Sequence, residues 1–192
     1  MTGKLPFYAG STARLYDELL VTMARSGDQR AANLLVRRWQ PRLLRSARRY
    51  ANDAGLAEQL AQDCWVGIWT GLPKLRDPSK FAPWAFTILR KKGADMIKAQ
   101  VIERQIVSNN EPEAMPATQD DGIALAQAFA GLTPDHRLAA HLFFVEGLAL
   151  CEIAHVQSVP IGTAKSRLFH ARRQLKQALG DTYTQAIQGV AS

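Results

Sequence analysis

The chain has 192 residues, 47% of them hydrophobic and 21% charged, with a formal net charge of +7. That length builds one large domain or two small ones, and the positive balance suits an anionic partner while saying nothing about fold. Cys64 and Cys151 are too few for a disulfide framework or a structural zinc site, no apolar run reaches the ~18 residues of a membrane helix, and the N-terminal stretch lacks a signal peptide's apolar core; a cytoplasmic protein with buried free thiols and no membrane insertion is expected.

The charge is uneven. Residues 1–98 carry 17 Lys/Arg against 8 Asp/Glu, residues 99–122 carry 1 against 5, and residues 123–192 carry 6 against 4. Two basic blocks therefore flank an acidic connector. Residues 13–25 pattern as an amphipathic helix with Leu15, Leu19, Leu20 and Met23 inward. Gly27 suits a left-handed stop and Asp28 an N-cap. Residues 29–50 follow with Leu35, Trp39, Leu43, Ala47 and Tyr50 on one stripe, and Pro41 predicts a kink or break. The opposite face carries Arg37, Arg38, Arg42, Arg45, Arg48 and Arg49, which fits a solvated face and a nucleic-acid contact equally.

After a turn at residues 52–55, residues 56–70 form a mostly buried helix. Leu56, Leu60, Cys64 and Ile68 share one row, Ala61, Trp65 and Trp69 a neighbouring one, and Gln59, Gln62, Asp63 and Gly67 stay outside. Residues 71–80 are a loop with Lys74, Arg76 and Lys80. The next helix, residues 81–99, is aromatic in its first half (Phe81, Trp84, Phe86) and basic in its second (Arg90, Lys91, Lys92, Lys98). Aromatic faces stack unpaired bases while cations track phosphates. Phe81 and Trp84 fit that role and a core role alike, whereas Phe86 reads as core. Residues 100–122 lack periodicity and read as a flexible linker.

Residues 123–132 read as a short helix. Thr133-Pro134-Asp135 is a start signal, and Ala139, Leu142, Phe143 and Val145 make a buried helix that stops at Gly147. Residues 149–156 form a short helix with Leu150, Ile153 and Ala154 at helical spacing. A break at residues 157–160 precedes a second helix, with Thr163 as its cap, Leu168, Ala171, Leu175 and Leu179 on one face, and Lys165, Arg167, Arg172, Arg173 and Lys176 on the other. Two helices across a tight turn make a helix-turn-helix, whose second helix enters the major groove; the alternative is a helical hairpin with a solvated basic face. A polar tail follows. No metalloprotease, phosphate-loop or nucleophile-elbow pattern is present, and His136, His141, His155 and His170 lack ligand spacing, so neither enzyme chemistry, metal nor cofactor is expected.

Five pieces taken in order, GDQRAANLLVRRWQPRLLRSARRY, LAEQLAQDCWVGIWTGLPKLRD, FAPWAFTILRKKGADMIK, LTPDHRLAAHLFFVEGLALCEIA and VPIGTAKSRLFHARRQL, resemble an extracytoplasmic-function (ECF) RNA polymerase sigma factor. The resemblance implies an all-α chain: a region-two-like bundle at residues 1–98, a flexible linker at 99–122, and a region-four-like helix-turn-helix domain at 123–182. It implies binding to core RNA polymerase through Gln59, Gln62 and Asp63. It implies minus-ten recognition and melting by Lys74, Arg76, Lys80, Trp84, Arg90, Lys91, Asp95 and Lys98, and minus-thirty-five recognition by Thr163, Lys165, Ser166, Arg167, His170 and Arg173. Promoter DNA, the core enzyme and an anti-sigma factor are the partners it implies. The chain departs from the family pattern at Gln59, where an acid is common, at Asp63 (Glu), Lys91 (Asn), Gln157 (Leu) and Ser158 (Gly); the last two predict a looser or differently shaped turn. Two rival functions fit parts of the chain: a stand-alone helix-turn-helix regulator, and a sigma-like decoy for an anti-sigma factor.

Overall fold

A computed structural model describes residues 8–51, 53–107 and 127–190, with side chains described for 12–51, 53–102 and 127–180. Among these residues the structure is helical and contains no strand, as the sequence predicts. The chain divides into two compact units, Met1–Ala114 and Met115–Ser192.

In the first unit, α1 spans Tyr8–Arg25. Leu20 and Val21 are buried, but Leu15, Leu19 and Met23, expected inward, are exposed. The cause is Asp17, which is buried instead. Arg38 Nε donates to its Oδ1 at 2.7 Å and Arg42 Nη1 lies 3.8 Å from its Oδ2. A buried carboxylate requires such partners, and meeting them sets the rotation of α1 against α2. Gly27 closes α1 at φ +94°, and the Asp28 N–H returns to the Met23 carbonyl at 3.1 Å. Asp28 then caps α2 (Gln29–Ala47), accepting from Arg30 and Ala31 N–H.

Leu35, Trp39, Leu43 and Ala47 are buried along α2 as the stripe predicts, while Tyr50 lies half-buried beyond its end. Pro41 neither breaks nor ends the helix. Proline deprives the Arg37 carbonyl of a donor, but both residues are exposed, so solvent replaces it. Trp39 is the centre of this core: the Phe81 ring meets it edge-on at 4.9 Å and Phe86 at 5.8 Å. Phe81 is only 1% exposed, which settles it as core rather than base-stacking.

Asp53 caps α3 (Ala54–Gly71), accepting from the Leu56 N–H at 2.8 Å. Leu60, Ala61, Cys64, Trp65 and Ile68 are buried. Gly67, expected outside, faces α4 (Phe81–Val107) instead: a Cβ there would meet Ile88 Cγ2 at 3.0 Å and Lys92 Cε at 3.2 Å. α4 runs on through QVIERQIV, residues 100–107, which the lack of periodicity assigned to the linker. That stretch holds neither proline nor glycine, so nothing local stops the helix. The remaining linker residues, 108–122, and the start of the helix expected at 123–132 lie outside the described residues.

In the second unit, residues 127–130 are helical and Thr133 caps α5 (Pro134–Ala140), its Oγ1 accepting from the His136 N–H at 3.4 Å. α5 passes into a π-helical turn, His141–Val145, where the Glu146 N–H bonds the His141 carbonyl at 3.1 Å. The wider turn shifts the inward register: Leu142 is buried, Phe143 half-buried, and Val145, expected inside, is exposed. Gly147 ends the turn at φ +68°. α6 (Leu150–Gln157) and α7 (Ile161–Val190) follow, so the expected polar tail is helical through Val190. Ala128, Leu132, Ala140, Ala171 and Leu175 form a core cluster. Cys64 is buried as expected, but Cys151 is exposed, because it lies on the outer side of α6, opposite the buried Ile153.

Candidate nucleic-acid interface

The outer face of α3 is set by its buried one. With Leu60, Cys64 and Ile68 inside, residues three and four apart on the far side share a surface: Gln59, Gln62 and Asp63 are all exposed. Val66 continues that face at 63% exposure. It was missed because valine within an apolar helix reads as core; its position one turn beyond Gln62 was the available signal. Cys64 Sγ donates to the Ala85 carbonyl at 3.8 Å, and burial pushes its thiol up to about 12 against the weaker pull of Lys92.

The loop after α3 is ordered by two short 3₁₀ turns, Leu72–Lys74 and Pro78–Lys80. Arg25 Nη1 donates to the Leu75 carbonyl at 2.8 Å, tying the loop to α1. Asp77 caps the second turn, accepting from the Ser79 N–H at 2.9 Å; hydrogen bonds from Ser79 hold its carboxyl below the usual range. Lys74, Arg76 and Lys80 are exposed on this braced loop. Trp84 is half-buried, its indole pressed so closely on Gly71 that a Cβ there would lie 2.7 Å from Cζ2. Along α4, Lys91, Asp95 and Lys98 are exposed at spacings of one and two turns, and Arg90 is half-buried. Burial raises the Tyr50 hydroxyl, opposed by Arg49 and Arg90. The arginine face of α2 is partly structural: Arg38 and Arg42 are engaged by Asp17, and the Arg42 guanidinium also lies 3.9 Å over the Trp39 ring.

In the second unit Glu152 reaches back to accept from the Ala149 N–H at 2.7 Å, fixing the start of α6. Its end is closed: Ser158 takes the left-handed conformation at φ 56°, and the Val159 N–H returns to the Ala154 carbonyl at 3.0 Å. The turn is thus hydrogen-bonded, not loose. α7 opens one residue after Pro160, whose carbonyl accepts from Thr163 and Ala164 N–H at 3.0 and 3.1 Å. Thr163 is therefore inside the first turn, exposed, and not the cap: proline's fixed φ and missing N–H suit it to open the helix. Ala164, Leu168, Ala171 and Leu175 are buried, while Lys165, Ser166, Arg172, Arg173 and Lys176 are exposed. His170 is half-buried, its ring 5.8 Å from that of His136 and nearly parallel. Arg167 is half-buried and ion-paired with Asp135. Phe169, 62% exposed, was missed; its place one residue out of step with Leu168 was the signal.

The exposed surfaces of α4, its preceding loop and α7 carry cations on rigid elements, a pattern suited to phosphate contact, and α7 adds a serine and an apolar ring that can meet base edges. Among the described residues no group of three or more His, Cys, Asp or Glu is placed to hold a metal ion, and no helix is long and apolar enough to cross a membrane.

Comparison with known proteins gives two family matches: Sigma-70 region 2 over residues 35–101 and Sigma-70, region 4 over residues 128–177. The RNA polymerase sigma-H factor of Pseudomonas aeruginosa is 28% identical over 180 residues, covering 85% of this chain and 93% of its own. The ECF RNA polymerase sigma-E factor of Escherichia coli is 27% identical over 179 residues, covering 84% and 93%. Among solved structures, the sigma factor RpoE from Bartonella quintana, in complex with the anti-sigma factor NepR, matches with a TM-score of 0.66 at 26% identity over 77% of this chain and 96% of that one. CnrH, in complex with the cytosolic domain of CnrY, matches with a TM-score of 0.62 at 25% identity over 86% and 98%.

Proposed function

Because the chain belongs to the ECF family of RNA polymerase sigma factors, we propose that its two helical units grip one promoter at two elements while the core polymerase supplies the chemistry. The exposed α3 face, Gln59, Gln62 and Asp63, docks on the clamp coiled coil of the largest polymerase subunit. The braced loop with Lys74, Arg76 and Lys80, together with Trp84, Arg90, Lys91, Asp95 and Lys98 of α4, captures an unpaired base of the minus-ten element and keeps the strands apart. On α7, Lys165, Ser166, His170 and Arg173 face the minus-thirty-five element, with Thr163 at the entry of the helix. The boundary between the two domains falls between residues 107 and 127.

One observation carries this assignment: the region-two and region-four matches fall, in order, on two separate helical units, each presenting exposed cations on ordered backbone. The protein contributes positioning and no catalysis of its own, and it works in the cytoplasm beside the polymerase. Its matched relative RpoE is held by the anti-sigma factor NepR, and an anti-sigma protein controls this chain in the same manner. Run-off transcription with bacterial core polymerase and a promoter library tests the function. The chain is expected to co-purify with core and to direct it to a defined set of start sites. Failure of both would refute the assignment. Tight, specific duplex binding by the protein alone would favour a stand-alone regulator.

A further inference from the structure

We infer that Arg167 is a positioning residue: acting with Asp135 and Gln157, it fixes the recognition helix α7 against α5 and α6, and it does not itself touch DNA. This rests on the proposal that the exposed arc of α7 faces the promoter. At ~3.6 residues per turn, Arg167 falls beside the buried stripe of Ala164, Leu168, Ala171 and Leu175, whereas Ser166 and Arg173 lie opposite that stripe. Its side chain is 21% exposed. One amino group of the guanidinium pairs with the Asp135 carboxylate, and the other donates to Gln157 Oε1 at 3.2 Å. Gln157 is buried, and its Nε2 donates in turn to the Asp135 carbonyl at 2.9 Å. The first turn of α5, the last residue of α6 and the second turn of α7 are thereby joined through two side chains.

The planar fork of arginine is what allows one residue to hold two acceptors at fixed angles. Swinging it into the groove would remove the donor from a buried amide oxygen and a cation from Asp135, and an unsatisfied buried group is the larger penalty. Asp135 sits in the first turn of α5, where the helix dipole favours a carboxylate. Gln157 and Ser158, adjacent departures from the family pattern, serve the same end: one ties α6 to α5 and α7, the other closes the turn between α6 and α7.

The test uses holoenzyme assembled from core polymerase and the full chain, and duplex promoter fragments that wild-type holoenzyme selects from a library randomised at the minus-thirty-five element. Affinity is measured against salt for D135N, D135E, R167A, D135N/R167A and K165A. D135N and R167A are each expected to weaken binding about five- to tenfold, the double variant no further than R167A, with D135E within about twofold of wild type; these factors correspond to the loss of one charge-assisted contact. The loss is confined to the selected element, binding to a fragment with that element scrambled being unchanged, and the slope of log K against log salt stays at the wild-type value in D135N and R167A. K165A lowers that slope by about 1. Wild-type affinity in D135N, together with an R167A slope lowered by about 1, would overturn the proposal and make Arg167 a phosphate contact. Where R167A does not fold at the assay temperature, D135N and D135E decide alone, equal wild-type affinity in both refuting it. Unchanged affinity and slope in K165A would overturn the groove-facing assignment of α7 and the proposal with it.

Discussion

Gly93→Ala is the sharpest test of how the first unit presents its basic surface. In an open helix interior this change stabilises by ~1 kcal/mol. Here the new Cβ would lie 2.5, 2.7 and 2.9 Å from Cγ, Cδ1 and Cδ2 of Tyr50, about 1 Å inside ordinary carbon contact. These are the root atoms of the ring, so no rotation about the ring axis relieves the overlap; either the Tyr50 backbone or α4 must move. Overpacking of this kind costs ~1–3 kcal/mol, and three simultaneous overlaps place it at the upper end. We expect a net loss of about 1–2 kcal/mol after the propensity gain, read as a drop of roughly 5–15 °C in the unfolding midpoint. In a Tyr50→Ala background the three overlapping atoms are gone, and the same change should stabilise by up to ~1 kcal/mol. The sign reversal is the diagnostic, since a coupling of ~2–3 kcal/mol requires direct contact. A raised midpoint in the wild-type background, or the same sign in both, would refute the packing. Arg90 and Lys91 lie just before Gly93, and Asp95 and Lys98 just after it, so the displaced helix should also lose run-off transcription from promoters that need melting.

Other outcomes follow from single sites. A thiol reagent at neutral pH should modify Cys151 quickly and Cys64 slowly, as peptide mass spectrometry would show, since only Cys151 is exposed; equal rates would contradict the packing of α3 on α4. The folded Cys64 thiol titrates near 12 and the unfolded one near its ordinary 9.0. Between those values the unfolded chain releases a proton that the folded chain keeps, so this contribution is present below pH 9 and is lost as pH rises toward 12. Urea midpoints should therefore fall with alkaline pH more steeply in wild type than in Cys64→Ala. Ser158→Gly should raise stability by ~0.5–1 kcal/mol, because a residue with a Cβ is strained at φ 56°; a lower urea midpoint would show that the serine side chain outweighs the backbone strain.

The sequence is informative wherever local chemistry decides the structure. Asp28 and Thr133 cap the helices predicted for them, Gly27 takes the left-handed turn, and the Leu35–Trp39–Leu43–Ala47 stripe is buried, because each depends on neighbours within one or two turns. It misleads where a distant partner intervenes. Asp17 rotates α1 because Arg38 and Arg42, on another helix, demand it. Phe81 is drawn to Trp39 rather than left for a base. The π-helical turn at His141–Val145 leaves no periodic mark, so Val145 is assigned to the wrong side. Within the candidate interface, alternation of Lys165 and Ser166 with Leu168 and Ala171 is legible. The capture of Arg167 is not, because Asp135 lies 32 positions away.

Several arginines are engaged within the fold, while Arg76, Arg172 and Arg173 and most of the described lysines are exposed. Arg25 binds the Leu75 carbonyl, Arg38 and Arg42 the buried Asp17, Arg137 the Ala130 and Leu132 carbonyls, and Arg167 Asp135 and Gln157. Among the described lysines only Lys92 is other than exposed, its stem running past Gly67. A rigid fork suits fixed acceptors inside a fold, and a compact, strongly hydrated ammonium is cheaply kept in water until a phosphate displaces its counterion. The +7 net charge is thus no guide to the number of DNA contacts. Arg38→Lys keeps the charge but loses the fork that grips Asp17, so it should lower stability by ~1–2 kcal/mol, less than the ~3–5 kcal/mol of removing a buried partner outright. The same variant should leave the salt slope of promoter binding unchanged, while Lys98→Ala should shift that slope by about 1 with little change in stability. An Arg38→Lys protein as stable as wild type would refute the grip on Asp17, and an unchanged salt slope in Lys98→Ala would take that residue of α4 off the DNA.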